Sequence, residues 1–284
     1  MKNKKQIKLL LLVALLPFVI LIVIFELAPA LAMLINSFRT EDAAHFTLQP
    51  YITSLSKPFY LKAIKNSLMI SLYSSVVGLI IGLLVAYAIT RVSESIREKV
   101  IMISNMTSNF AGIPLAFAYI ILLGNNGIFT ILADKWGWSV FNGFDLYTWT
   151  GLTLVYVYFQ IPLATLLLFP IYNGIREGWK EASFLLGAGP FQFWRYIALP
   201  VLLPAIAGTF TVLFANSMGA YATAYALVGG NYNLLAIRIG SLISGNVITN
   251  PQLGSALAIL LGVTMMLSLW INERLMRRVR RDIS

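Results

Sequence analysis

The chain has 284 residues, of which 58% are hydrophobic and 11% charged, and its mean hydropathy is +0.79. That is too apolar for ordinary soluble globular usage, so the class is integral membrane, and the net charge of +10 must be read as topology before nucleic acid is considered. With no cysteine and His45 as the one histidine, disulfides, thiolate catalysis, Cys-ligated metal and paired-His zinc sites are excluded.

In chain order, six apolar stretches predict membrane-spanning helices: Leu9 to Leu34, Asn66 to Thr90, Val100 to Leu123, Trp149 to Ile171, Val201 to Tyr225 and Leu253 to Ile271. Each is long enough, at ~1.5 Å per residue, to cross a ~30 Å hydrocarbon core. If all six cross, 15 of the 21 Lys and Arg fall on one side, in the N-terminal tail, Arg91 to Lys99, Arg176 to Arg195 and the segment from Arg274 onward. The positive-inside rule then places both termini in the cytoplasm of a multi-pass cell-membrane protein. The opening Met-Lys-Asn-Lys-Lys and Ala30-Leu31-Ala32 have the outline of a cleaved signal, but the apolar run between them is long for one and reads as the first span.

Within the spans, polarity is informative because lipid offers no hydrogen-bond partner. Glu26 is the one acid inside an apolar stretch, toward the end of the first span, and an intramembrane carboxylate is a functional candidate. Gly78 and Gly82 form a small-residue face suited to close helix packing. The third stretch joins a polar run ending at Asn109 to Gly112 and Pro114, and the fourth holds Gln160 and Pro162, which suggests buried or water-lined surface. The fifth, rich in small and hydroxyl residues, supplies pathway candidates in Asn216, Ser217, Tyr221 and Thr223, to which Asn109 is added; interhelical bonding is the competing role. Trp136, Trp138, Trp149 and Trp270 read as an interfacial belt, and the arginines from Arg274 onward as anchors to lipid headgroups. No repeat or linker divides the chain, which reads as a single transmembrane domain over 1–284.

The segment 174–200, between the fourth and fifth spans, carries the strongest signal. Trp179, Ala182, Ser183 and Leu186 recur at helical spacing and give a short helix one small, apolar face, with Lys180 and Glu181 on the other side. Gly187 and Gly189 predict an open-backbone elbow, and Pro190 the start of a second short helix. Glu181-Ala182-Ser183, Gly187, Ile197 and Leu199-Pro200 together resemble the EAA loop of binding-protein-dependent ABC importer permeases, E-A-A-x3-G-x9-I-x-L-P, with Ser183 the one departure. With six spans and an external Gly229-Gly230-Asn231 loop, the chain resembles the spermidine/putrescine branch, which also includes iron, thiamine and aminophosphonate permeases.

The resemblance implies an all-α, six-helix type I importer fold whose loop 174–200 docks on a cytoplasmic ATPase through Glu181, Ala182, Ser183, Gly187, Trp179 and Leu186. It also implies two ATPase subunits that bind the ATP and Mg, a second permease subunit of a different sequence, and an extracytoplasmic solute-binding protein, with lipid around the spans and no nucleic acid. This chain has no Gly-Lys dipeptide and so no P-loop, which makes it a non-catalytic subunit with no cofactor of its own. The cargo reads as a small polar solute, a polyamine, an aminophosphonate, a ferric ion or similar. Because the pathway candidates are neutral, either selectivity lies in the binding protein or the cargo is not a polycation. The rival class, an ion-coupled secondary transporter or channel, would call for charged residues inside spans two to six or for two related halves, and neither is seen.

Overall fold

The computed structural model describes residues 13–42, 45–138, 143–172, 174–175, 177–245 and 249–283. The secondary structure of these residues is helical apart from one antiparallel bridge, Arg39 to Phe46. The helices are α1 (Val13–Asn36), α2 (Gln49–Ser56), α3 (Pro58–Ile89), α4 (Glu94–Asn109), α5 (Ile113–Leu123), α6 (Ile128–Trp136) and α7 (Trp149–Tyr172). They continue with α8 (Glu177–Leu185), α9 (Pro190–Met218), α10 (Tyr221–Val228), α11 (Leu235–Ser244) and α12 (Pro251–Ile283). Six runs are long and apolar enough to cross a membrane: α1, α3, Ile113–Trp136 (which contains α5 and α6), α7, α9 and Pro251–Arg274 of α12. The six-span, all-helical expectation therefore stands, while two of its spans need correction.

The third and fifth stretches are each broken where a single helix was expected. Val100 to Leu123 is interrupted after Asn109, because Gly112 takes φ +77°, a left-handed value that ends helical propagation, and Pro114 lies in the first turn of the next helix. Val201 to Tyr225 is interrupted between Met218 and Tyr221. Each break, at the edge of a span, frees backbone groups that need other partners. The breaks therefore borrow partners. The amide of Gly112 donates to Thr223 Oγ1 on α10 at 2.8 Å, and the carbonyl of Ala220 accepts from the Tyr156 hydroxyl of α7 at 3.0 Å.

The packing divides into two compact units. The larger runs from Lys62 to Ile237 and resumes at Leu261. Within it α3 presents a stripe of buried small residues, Ser67, Ser71, Ser74, Ser75, Gly78, Gly82 and Ala86. A Cβ built on Gly78 would lie 2.5 Å from the Cβ of Gln160, and one on Gly82 2.4 Å from the Cβ of Ala164, so glycine at both positions permits the approach of α3 to α7. The seam is polar as well as close. Ser74 Oγ pairs with Ser217 Oγ of α9 at 3.1 Å, and Ser67 Oγ accepts the Leu235 amide at 2.8 Å. Interhelical bonds of this kind contribute about 0.6 kcal/mol each, since a helix unassembled in lipid also finds partners. Leu115, Leu152, Val155, Phe159, Ala224 and Leu227 fill the core between α5, α7 and α10.

The smaller unit holds the described residues up to Leu61 together with Arg238–Leu260. Here α2 is tied to the end of α1 by Ser37, whose hydroxyl donates to the Leu34 carbonyl at 2.6 Å and pairs with Tyr51 Oη at 2.8 Å. The Phe38 and Tyr51 rings meet at 5.1 Å. Gly254 at the start of α12 admits Ile243 and Leu242 of α11, a Cβ there falling 2.8 Å from Ile243 Cγ1.

Two expectations follow. Gly78→Val and Gly82→Val each overpack the α3–α7 seam and cost about 1–3 kcal/mol, seen as a lowered melting temperature in detergent, whereas Gly208→Ala and Gly262→Ala, which meet nothing within 4 Å, leave it unchanged or raised. Thr223→Val orphans the Gly112 amide at a local cost of about 1–3 kcal/mol. Hydrogen exchange by mass spectrometry should show segment 110–114 exchanging at least about fivefold faster, with Thr223→Ser close to wild type.

Candidate functional site

The segment 174–200 folds as a helix, a glycine elbow and a second helix that runs straight into α9. At the end of α8 the Ala188 amide donates to the Ser183 carbonyl and the Gly187 amide to the Phe184 carbonyl, both at 3.0 Å, with Gly187 at φ +82°. These paired bonds are the Schellman closure, which requires a left-handed residue at the position Gly187 occupies. Gly189, the other elbow glycine, is extended instead (φ −79°, ψ 168°), and Pro190 begins the next helix. The Gly189 amide is capped by Gln192 Oε1 at 2.8 Å. Residues 194–198 widen into a π-turn before the helix continues.

The face of α8 read from spacing lines a groove. Trp179, Ala182, Ser183 and Leu186 form one wall, Tyr196, Ile197 and Pro200 the other, around a largely apolar cavity of about 740 Å³. Ser183 is buried, its hydroxyl returned to the Lys180 carbonyl at 2.8 Å. Glu181 and Gly187 are exposed. Leu185 and Leu186, at the end of α8, are 89% and 88% exposed.

An aromatic cluster that the sequence reading missed fastens this elbow to the ends of two spans. Trp194 meets Tyr87 of α3 edge-on at 5.3 Å and Tyr172 of α7 at 6.4 Å, and Tyr87 and Tyr172 lie 6.0 Å apart. Phe193, itself buried, contacts Trp194 at 6.1 Å and Phe184 of α8 at 6.5 Å. Arg91 caps the cluster, 5.3 Å from the Tyr87 ring with a hydrogen bond to its hydroxyl. Aromatic pairs of this geometry add about 0.5–1.5 kcal/mol each beyond their area, and they join α8, the elbow and the ends of α3 and α7 in one cluster. The sequence signal was the coincidence of aromatic residues with the basic ends of the spans, which an interfacial belt accounts for equally well.

The pathway candidates divide. Ser217 and Thr223 are buried and hydrogen-bonded between helices, to Ser74 and to the Gly112 amide. Asn109, Asn216 and Tyr221 are exposed, all beside the two helix breaks. Asn109 turns its amide back to the Asn105 carbonyl at 2.8 Å, and Tyr221 stacks on Tyr225 at 5.3 Å. Gln160 is fully buried; its Nε2 donates to the Leu213 carbonyl at 2.8 Å and approaches Ser75 Oγ at 3.4 Å, while its Oε1 has no partner among the described residues. Glu26 sits exposed in a π-helical turn, Val23–Leu27, of α1. Arg274 lies 4.8 Å from the Trp270 ring, and the side chains of Arg277, Arg278, Arg280 and Arg281 fall outside the described residues. Among the described residues no three His, Asp or Glu side chains come together as a metal site.

Comparison with known proteins fits this architecture. The putative ferric transport system permease protein FbpB 1 of Haemophilus influenzae is 26% identical over 269 residues, covering 92% of this chain and 41% of its own, so the chain spans about two fifths of that relative. The spermidine/putrescine transport system permease protein PotB of the same organism is also 26% identical over 269 residues, with 92% of each chain covered. Among solved structures, a chain of a bacterial ABC transporter involved in the import of the acidic polysaccharide alginate shares the fold, with a TM-score of 0.73 at 20% identity over 98% of this chain and 99% of that one. Residues 59–281 match the profile of the binding-protein-dependent transport system inner membrane components, and the chain belongs to that family.

Proposed function

We propose that this chain is the membrane-spanning permease subunit of an ATP-driven importer and that segment 174–200 couples it to a cytoplasmic ATPase. The observation that carries the proposal is the α8 elbow: an exposed helix end bearing Leu185 and Leu186, closed by Gly187 and continuous through Pro190 with a spanning helix. A groove on an ATPase that covers Trp179, Ala182, Ser183 and Leu186, with Glu181 at its rim, moves the elbow as a rigid body when nucleotide closes the ATPase pair. The Trp194, Tyr87 and Tyr172 cluster then carries that movement to α3 and α7 together with α9.

On this reading ATP and Mg belong to two partner ATPase subunits, and this subunit is non-catalytic. A second permease chain supplies the other half of the path, a solute-binding protein delivers cargo from outside, and both termini are cytoplasmic. Asn109, Asn216 and Tyr221 line the path beside the two helix breaks, while Ser217 and Thr223 hold its shape. The relatives are named for ferric and for spermidine/putrescine transport, and the structural neighbour for alginate. The neutral amides and phenol at the breaks suit a small polar solute without selecting a charge sign, which leaves selection to the binding protein.

The test is co-purification of the tagged chain from its native membranes. Wild type brings an ATPase with it, and Leu186→Glu, which places a charge on the apolar end of α8, reduces recovery of that ATPase at least tenfold, equivalent to about 1.4 kcal/mol. Gly187→Ala, strained at φ +82° by roughly 1 kcal/mol, retains the partner but lowers solute-stimulated ATP hydrolysis. A chain that purifies without ATPase, with no response to either change, would instead be an ion-driven transporter or channel.

A further inference from the structure

The smaller unit contains a second cavity, unrelated to the elbow. It has a volume of about 370 Å³ and lies where α1 has ended, α3 begins and α12 begins, so it sits at one boundary of the membrane. Its lining is charged and polar, including Arg39, Glu41, Gln49, Thr53, Lys57 and Asn250. Glu41 is already engaged, its carboxylate accepting from the Asn250 side-chain amide and its carbonyl from Gln252. Arg39 lies 6.0 Å from the Phe46 ring, and among the described residues neither Arg39 nor Lys57 has a carboxylate within 4 Å. Two cations thus face a cavity whose one acid is turned to other partners. Arg238 adds to the positive field of this unit, packed 4.6 Å from the Phe59 ring, where burial lowers its pKa but leaves it a cation.

The surroundings of the cavity say what the anion is attached to. On α2 the inner side carries Pro50 and Ser54, both buried, whereas Ile52 and Leu55 are 56% and 52% exposed. Leu48 before the helix and Phe59 after it are similarly exposed. A short helix with an apolar outer side next to a cationic cavity, at the end of spanning helices, lies in the membrane interface, at headgroup depth. A soluble anion would need the cavity but not the apolar flank. A glycerophospholipid uses both.

We propose that this cavity is a phospholipid site, in which Arg39 and Lys57 bind the headgroup phosphate while the acyl chains lie along Ile52, Leu55 and Phe59. Thr53 and Gln49 offer hydrogen bonds to the remaining phosphate oxygens. The bound lipid cements the α1–α2 turn to the start of α3.

The experiment is native mass spectrometry of the full chain, extracted from its membranes in mild detergent. Wild type retains phospholipid through detergent exchange. Each interfacial charge is worth about 1 kcal/mol, or about fivefold, so Lys57→Gln lowers the retained fraction about fivefold and Arg39→Gln/Lys57→Gln about 25-fold. Lys62→Gln/Lys65→Gln removes two charges from the first turns of α3, outside the cavity, and leaves retention unchanged; equal loss in this control overturns the site in favour of general adsorption. Because Lys57 is exposed, its single variant tests the site even if the double variant folds poorly. A parallel arm adds labelled inorganic phosphate to delipidated protein: binding lost in the variants, without any lipid retained by wild type, assigns the oxyanion to a free anion rather than a headgroup. If the variants alter neither lipid nor phosphate binding, or lower only the capture of a solute-binding protein, the lipid proposal is wrong.

Discussion

A membrane interior supplies no water, so every backbone amide and carbonyl freed by a helix break must be answered from within the protein. The core of this fold is organised around that constraint. The chain breaks two of its apolar stretches, after Asn109 and after Met218, each at the edge of a run long enough to span, and answers the exposed groups from helices brought alongside. Thr223 receives the Gly112 amide, and Tyr156 donates to the Ala220 carbonyl. These two bonds fix the position of α10 against both α5 and α7. The small-residue stripe on α3 brings α7 in as well: glycine at 78 and 82 admits the Cβ atoms of Gln160 and Ala164, and Gln160 Nε2 comes within 3.4 Å of Ser75 Oγ.

The breaks also sort the polar side chains around them, Asn109 before the first and Asn216 before the second both being exposed. The residues beside the breaks divide by burial: Ser217 and Thr223 are buried and bonded to Ser74 and to the Gly112 amide, whereas Asn109, Asn216 and Tyr221 are exposed.

The elbow between α7 and α9 follows the opposite logic. Its backbone is satisfied by its own Schellman bonds and by the Gln192 cap, so it needs no neighbour to keep its shape. Its side chains differ: Leu185 and Leu186 stand almost bare, while Trp194 packs on Tyr87 of α3 and Tyr172 of α7 and Phe193 packs on Trp194 and Phe184. The elbow thus combines a backbone that closes on itself with one uncovered end and one end anchored by aromatic contacts.

The sequence by itself determined the class, the number of apolar runs but not the bounds of the third and fifth, the elbow and its helix face, because these depend on local composition and on periods of one or two turns. Trp179, Ala182, Ser183 and Leu186 could be placed on one face by counting, and Gly187 as a helix terminator by its missing Cβ. Only the tertiary structure decided where the long runs stop being helices. Hydropathy sums over a break as though it were not there, and what makes a break tolerable is a partner more than a hundred residues away, as Thr223 is to Gly112. The same limit hid the Tyr87, Tyr172 and Trp194 cluster and the Arg39 and Lys57 cavity, whose members are scattered along the chain and meet through packing. Periodicity reports the face a residue occupies on its own helix; which helix that face will meet is settled by the fit of side-chain volumes and polar partners across the whole bundle.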